Sequence, residues 1–161
     1  MSELELNAPA PAGHVPVLVE EVIHALAPVN DAVMVDGTYG GGGYARAALA
    51  VADITGDGRA DVAVAHSGEK YISVLSQTVG GDIVPDDDYI VGLDQSALTV
   101  ADFNGDGRTD VAVAVLSSNS VKVLNQTNSG KLELPASYEV GRDPVCLAPC
   151  DLDLDRRADI V

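Results

Sequence analysis

The chain has 161 residues, with 9 Lys and Arg against 25 Asp and Glu and a formal net charge of −16. Such a balance argues against a nucleic-acid surface, which needs a basic face to displace counterions, and favours cations as partners. The length suits one domain with a real core and is short for two independent ones, and no apolar run approaches the length of a membrane span.

Residues 1–13, "MSELELNAPAPAG", carry neither a basic n-region nor an apolar h-region. They read as a disordered N-terminus rather than a secretory signal, so the chain as written is expected to be cytoplasmic. Residues 14–27, "HVPVLVEEVIHALA", place Val17, Leu18, Val22 and Leu26 near helical spacing and are followed by Pro28, which predicts a helix. Residues 31–49, "DAVMVDGTYGGGGYARAAL", then read as strand, glycine loop and helix. That order suits the opening of a Rossmann-like nucleotide site, because a glycine loop between strand and helix lets a ligand approach the backbone closely. Four glycines alone serve equally well as a flexible linker.

From Ala48 onward the chain repeats. Asp53, Asp102 and Asp151 are spaced by 49 residues, and "VADITGDGRADVAVA" (Val51 to Ala65) aligns without gaps on "VADFNGDGRTDVAVA" (Val100 to Ala114). At the same offset "VLSQT" meets "VLNQT", Tyr89 meets Tyr138 and Gly92 meets Gly141. Each repeat reads as four short strands: in the middle one "SALTVADF", "DVAVAVLS", "SVKVLNQ" and "ELPASYEVG", separated by turn residues. "DVAVAVL" is a nearly continuous apolar run that suits a strand buried on both faces. Four strands in roughly 40–50 residues is the size of a propeller blade, with a solenoid as the alternative.

The first strand of each repeat runs into an acidic stretch: "DITGDGRAD" (53–61), "DFNGDGRTD" (102–110) and "DLDLDRRAD" (151–159). Together they hold Asp53, Asp57, Asp61, Asp102, Asp106, Asp110, Asp151, Asp153, Asp155 and Asp159, so the acidity is largely local. Carboxylates this close repel unless something neutralises them. Oxygen donors at loop positions 1, 3, 5 and 9, with a backbone carbonyl at 7, supply the hard ligands that Ca²⁺ prefers, and the intervening glycines permit a tight turn. The loop is no EF-hand, since Val113 stands at its twelfth position and its flanks read as strands. A single copy would read equally well as an Asx-rich hairpin turn. Recurrence at a fixed period favours the cation.

These motifs resemble FG-GAP (VCBS-type) repeats, the blades of integrin-α-like β-propellers, over roughly residues 48–161. The resemblance implies Ca²⁺ side-chain ligands at Asp53, Thr55, Asp57 and Asp61, with the Arg59 carbonyl, and at Asp102, Asn104, Asp106 and Asp110, with the Arg108 carbonyl. In the third copy Asp151, Asp153, Asp155 and Asp159 remain, but Leu154 and Arg156 replace the glycines, which puts its turn in question. Propellers of this kind close with about seven blades, whereas this chain holds two full periods, so the repeat region is expected to be truncated and its open edges to promote self-association. The family is usually extracellular and would bring a protein or carbohydrate ligand.

The context "HVPVLVEEVIHAL…VDGTYGGGGYARAAL" resembles the start of the bacterial small-subunit ribosomal RNA cytosine-N4 methyltransferases. By that resemblance Asp36, Gly37, Thr38, Gly40, Gly41, Gly42 and Gly43 would line the methionine end of S-adenosylmethionine, provided further sequence completed the site. The acid expected at the end of the next strand has no counterpart, because Ala48 and Leu49 already satisfy the repeat pattern.

The expected architecture is therefore mainly β: incomplete four-stranded propeller blades of period 49 over residues 48–161, preceded over 14–47 by a short α/β Rossmann-like methyltransferase segment. The expected function is a Ca²⁺-binding interaction module without catalytic residues, the alternatives being a ribosomal RNA methyltransferase fragment and a fusion without a selected activity. Asp86 to Asp88 read as a solvated loop, and Cys146 and Cys150 as two small apolar residues rather than a disulfide.

Overall fold

The structure, a computed structural model, describes residues 34–36, 47–66 and 68–161. Strand β1, Met34–Asp36, pairs antiparallel with β2, Ala47–Ala52, which heads an antiparallel run of β3 (Asp61–His66), β4 (Tyr71–Gln77) and β5 (Ile83–Ile90). A second sheet contains β6 (Gln95–Ala101), β7 (Asp110–Val115), β8 (Ser120–Leu124) and β9 (Ala136–Glu139) in that order, again antiparallel throughout. β10 (Pro149–Cys150) and β11 (Asp159–Ile160) form a short pair at the start of the third repeat. No described helix is long and apolar enough to cross a membrane.

Pleat alternation decides what each sheet buries. Ala50 on β2, Ala63 and Ala65 on β3 and Ile72 and Val74 on β4 point to one face of the first sheet. They meet Leu98, Val100, Val111, Val113 and Val115 on the facing side of the second sheet. Small alanines opposite larger β-branched residues let the sheets approach, with β6 lying against β2 and β3. Each fully buried valine or leucine here contributes roughly 1.5–3 kcal/mol. The far face of the second sheet buries Ala112, Ala114, Val121 and Val123 under Leu147 and Ile160 of the third repeat. β7 is buried at every position, as its unbroken apolar run predicts.

Three expectations need correction or restriction. Residues 47–49, at the end of the stretch read as strand, glycine loop and helix, are strand, with Ala48 and Leu49, which also satisfied the repeat pattern, on the two buried faces of the repeat sheet. Asp86 to Asp88 lie in β5 rather than in a loop. There the pairing of Tyr71 with Ile90 and of Gln77 with Ile83, relieved by a bulge at Val74 and Leu75, holds them in the ladder. Their charge protects an exposed outer strand. The helix predicted over 14–27 and the glycines at 37 and 40–43 lie outside the described residues, as does Thr38, and Asp36 is described only as the end of β1.

Candidate cation-binding loops

Each acidic stretch joins the first and second strands of its repeat, so the chain must reverse within the eight residues between them. Gly56 and Gly58 in the first loop (φ 74° and 82°) and Gly105 and Gly107 in the second (79° and 81°) take the left-handed conformation that the reversal needs. In the third loop Leu154 and Arg156 occupy the same conformation, at 64° and 73°. The turn questioned from the sequence is therefore kept, at a cost of about 1–2 kcal/mol for each side chain forced there.

The acids have different tasks. At position 1, Asp53 Oδ1 accepts the N–H groups of Gly56 (2.7 Å) and Asp57 (3.0 Å), while Oδ2 accepts that of Gly58 (2.9 Å). Asp102 does the same with Gly105, Asp106 and Gly107, at 2.7, 3.1 and 2.8 Å. At position 3, Asn104 Oδ1 accepts the Asp106 N–H at 2.9 Å. At position 9, Asp61 and Asp110 are fully buried. Asp61 accepts from the backbone of Ile54 (3.1 Å), Thr55 (2.8 Å) and Gln77 (3.0 Å), and Asp110 from Phe103 (3.0 Å) and Gln126 (2.8 Å). These two carboxylates thus tie the start of the loop to the end of the third strand. Desolvation raises the pKa of both above 3.8, and the backbone N–H groups facing them offset only part of that rise.

At position 5, Asp57 and Asp106 each accept the N–H of the arginine two residues on, at 2.9 Å in both loops, and pair with its guanidinium. Arg59 Nε donates to the Gln77 carbonyl (2.7 Å) and Arg108 Nε to the Gln126 carbonyl (2.9 Å). Arg108 also donates from Nη1 to Asn128 Oδ1 at 2.9 Å. The arginines thus bring a side-chain role that the sequence reading, which gave them only a carbonyl, missed. Its signal was the joint recurrence of Arg and Gln at 59 and 77 and again at 108 and 126.

The third loop differs. Asp151 Oδ2 accepts from Arg156 N (3.1 Å), Asp153 Oδ1 from Asp155 N (3.1 Å), Asp155 Oδ1 from Arg157 N (2.8 Å) and Asp159 Oδ2 from Leu152 N (2.9 Å). One carboxylate oxygen from each of Asp151, Asp153 and Asp159 lies within 4.8 Å of the other two. Ca²⁺ holds oxygen ligands at 2.3–2.6 Å, so two oxygens on one ion lie at most about 5.2 Å apart, a limit that these separations meet. Of all the described His, Cys, Asp and Glu residues, only these three converge in this way. The first and second loops offer oxygen donors of the same chemistry, but their position-1 acids are spent on loop amides and their position-5 acids on arginine.

The second repeat also reaches back to the first. Gln126, 2 % exposed, donates from Nε2 to the Ile54 carbonyl, and Lys131 bridges Asp86 and Asp87 at 2.8 Å each. The Leu132 N–H donates to the Tyr89 hydroxyl at 3.2 Å. Between the first two acidic loops lies a polar cleft of about 280 Å³ lined by Asp53, Thr55, Arg108, Gln126 and Asn128 among others.

Comparison with known proteins agrees with this division. A family model described as FG-GAP-like repeat matches residues 53–113 and again 102–161, and the MraW methylase family model matches 11–64. Similar curated proteins include "Ribosomal RNA small subunit methyltransferase H" of Hyphomonas neptunium, 54 % identical over 49 residues, covering 30 % of this chain and 14 % of the relative. The protein of the same name from Paramagnetospirillum magneticum is 63 % identical over 41 residues, 26 % of this chain and 13 % of its own. That of Brucella anthropi is 67 % identical over 36 residues, 22 % and 10 % respectively. The chain thus spans no more than about a seventh of the length of these relatives. No solved structure matches. The repeats at 53–161 place the chain in the FG-GAP-like repeat family, carrying at its start a segment of the MraW methylase family.

Proposed function

We propose that the repeat region is a cation-stabilised, propeller-type interaction module whose acidic loops hold Ca²⁺, and that the chain carries no methyltransferase activity. The observation behind the first part is the convergence of Asp151, Asp153 and Asp159 in a loop that recurs three times with the same backbone reversal. There the side chains of 151, 153 and 159 would hold the ion, and in the other loops Asp53, Thr55, Asp57 and Asp61, or Asn104 and its neighbouring acids, would join it as arginine gave way. A bound ion would supply charge neutralisation and lock the reversal. The antiparallel sheets, the four strands β2 to β5 with β1 at their edge and the four strands β6 to β9, stacked through Ala50, Ala63, Leu98 and Val113, support the reading of each repeat as a blade. The ligand of such a module would be a protein or a carbohydrate.

The second part rests on β1 and β2. A nucleotide-binding Rossmann unit continues from its glycine loop through a helix to a parallel strand. Here Met34–Asp36 pairs antiparallel with Ala47–Ala52, which is already the first full strand of a repeat sheet. S-Adenosylmethionine binding at Asp36 to Gly43 would therefore need protein matter that these strands do not provide.

Melting the full chain in EDTA and in millimolar Ca²⁺ tests the first part. Binding to the native state alone adds about 2.7 kcal/mol per site at 100 times Kd. An unchanged midpoint refutes it. Incubation with labelled S-adenosylmethionine and undermethylated small ribosomal subunits tests the second, and transfer above a heat-killed control refutes that part.

A further inference from the structure

Position 3 of the middle acidic loop is an asparagine followed by glycine. Asn104 and Gly105 form the one Asn-Gly pair in the sequence, where the first loop has Thr55 and Gly56 and the third has Asp153 and Leu154. Both residues are exposed. A glycine after an asparagine brings no side chain to keep its backbone nitrogen away from the asparagine Cγ. Two hydrogen bonds hold the pair. The Gly105 N–H donates to Asp102 Oδ1 at 2.7 Å, and Asn104 Oδ1 accepts the Asp106 N–H at 2.9 Å. Among the described residues nothing holds Asn104 Nδ2.

We propose that Asn104 is a site of spontaneous deamidation, restrained by Asp102, and that its aspartate product gives the middle loop the acid set of the third. In the reaction the Gly105 nitrogen attacks Cγ of Asn104. The N–Cγ bond forms as the Cγ–Nδ2 bond breaks, the proton of the attacking N–H leaves with the ammonia, and one water opens the resulting imide. Opening at Cγ puts an aspartate at 104. Opening at the Asn104 main-chain carbonyl gives isoaspartate, whose extra backbone carbon shifts the loop amides out of register with Asp102. The attacking nitrogen is the one that Asp102 holds, so imide closure waits for the loop to open. An aspartate at this position suits the turn, because the third loop already carries one: Asp153 Oδ1 accepts the Asp155 N–H at 3.1 Å, as Asn104 Oδ1 accepts that of Asp106. The product thus has acids at positions 1, 3, 5 and 9, as the third loop has in Asp151, Asp153, Asp155 and Asp159. It thereby gains a charged oxygen ligand for Ca²⁺, a consequence that rests on the cation role proposed above.

To test this, the full chain is aged in mildly alkaline buffer with EDTA, folded in one sample and unfolded in urea in another, and the masses of its proteolytic peptides are followed. The change from amide to acid should appear at Asn104 ahead of every other asparagine, and several-fold more slowly in the folded chain than in urea. Conversion led by another asparagine, no conversion at Asn104 in the folded chain after the unfolded one has reacted, or equal rates in both samples overturns the inference. Asp102→Ala should speed conversion in the folded chain several-fold, and a parent-like rate overturns the restraint. Asn104→Asp, which needs no reaction, should keep the β-sheet circular dichroism and nearly all of the urea midpoint in EDTA; loss of the sheet signal overturns the fit of the acid. In millimolar Ca²⁺ the midpoint of Asn104→Asp should rise further than that of the parent. An equal rise overturns the gain of a ligand, whereas no rise in either chain refutes the cation role itself, on which the deamidation rates do not depend.

Discussion

Gln126, two residues beyond the third strand of the second repeat, donates its side-chain N–H to the carbonyl oxygen of Ile54, 72 residues earlier, inside the acidic loop of the first repeat. The bond is possible because that same Gln126 uses its backbone N–H on Asp110 and its carbonyl on Arg108. One residue therefore closes the loop of its own repeat with its main chain and clamps the preceding loop with its side chain. Whatever stiffens one loop is passed to the next repeat through such residues.

Gln126→Ala should cost about 1–3 kcal/mol, because it leaves the buried Ile54 carbonyl without its donor. Its counterpart Gln77 has no side-chain bond across repeats among the described residues, and Gln77→Ala should cost less than about 0.5 kcal/mol. Gly130→Ala should be at least as harmful as Gln126→Ala. It combines a φ of 79° with a β-carbon that would collide with the Thr55 carbonyl oxygen. Urea midpoints of the three variants check the order, and equal losses from Gln77→Ala and Gln126→Ala would show that the clamp carries nothing.

The repeat and its strands were legible because period, turn residues and apolar alternation agree with one another: the four strands read in the middle repeat are those found as β6 to β9, with small shifts at their ends. The convergence of the third loop was not legible. Leu154 and Arg156 argued against the turn, and only the tertiary pairing of β10 with β11 shows that the backbone accepts the strain. The task of Asp61 and Asp110 was likewise hidden, since a spacing pattern does not say whether a carboxylate faces an ion or the N–H groups of a neighbouring strand. Asp86 to Asp88 misled for a related reason: three acids in a row read as loop, while edge position, a bulge and Lys131 make them tolerable in a strand.

Leu154→Gly and Arg156→Gly should each stabilise the third repeat by about 0.5–1 kcal/mol. The relief of left-handed strain, about 1–2 kcal/mol, exceeds the extra freedom glycine gives the unfolded chain, about 0.4–1 kcal/mol. The reverse change, Gly105→Ala, should destabilise by about 1 kcal/mol or more, since φ is 79° and the new β-carbon would sit 3.0 Å from Arg157 Cγ. Denaturant unfolding in EDTA isolates these backbone effects from any cation. A loss of stability in both glycine variants would mean that the apolar and basic side chains at 154 and 156 make contacts worth more than the strain.

Lys131→Met should lower stability by no more than about 1 kcal/mol at physiological salt, because both ion pairs are partly exposed. The loss should shrink as salt is added. Hydrogen bonds to Asp86 and Asp87 push the lysine pKa up, so the contribution is fully present below the unfolded value of 10.5 and is lost only as pH rises through the folded value. The difference between parent and Lys131→Met should therefore be flat from pH 7 to pH 9, and a sloping difference would assign the contribution to something other than this lysine.

The buried acids give the opposite pH behaviour from that of ordinary ion-paired carboxylates. Asp61 and Asp110 bind protons more tightly in the folded chain than in the unfolded one, because desolvation outweighs the backbone N–H groups that face them. As pH falls from neutrality through the folded value, the native state takes up protons that the unfolded state does not yet bind. Stability therefore rises, and the gain is complete once pH drops below the unfolded value of 3.8. As pH climbs through the folded value that gain is lost, so in EDTA these two groups should favour the folded chain more just above pH 3.8 than at pH 7. Asp61→Asn and Asp110→Asn replace the ionisable group by a neutral amide of the same shape, at the cost of one acceptor facing a backbone N–H. Each variant should remove its share of that pH dependence, so the stability difference between parent and variant should widen as pH falls from 7 toward 4. Urea midpoints of parent and double variant at pH 4, 5, 6 and 7 decide it. A difference that stays flat or narrows on acidification would show that these two carboxylates are not the desolvated groups their burial implies.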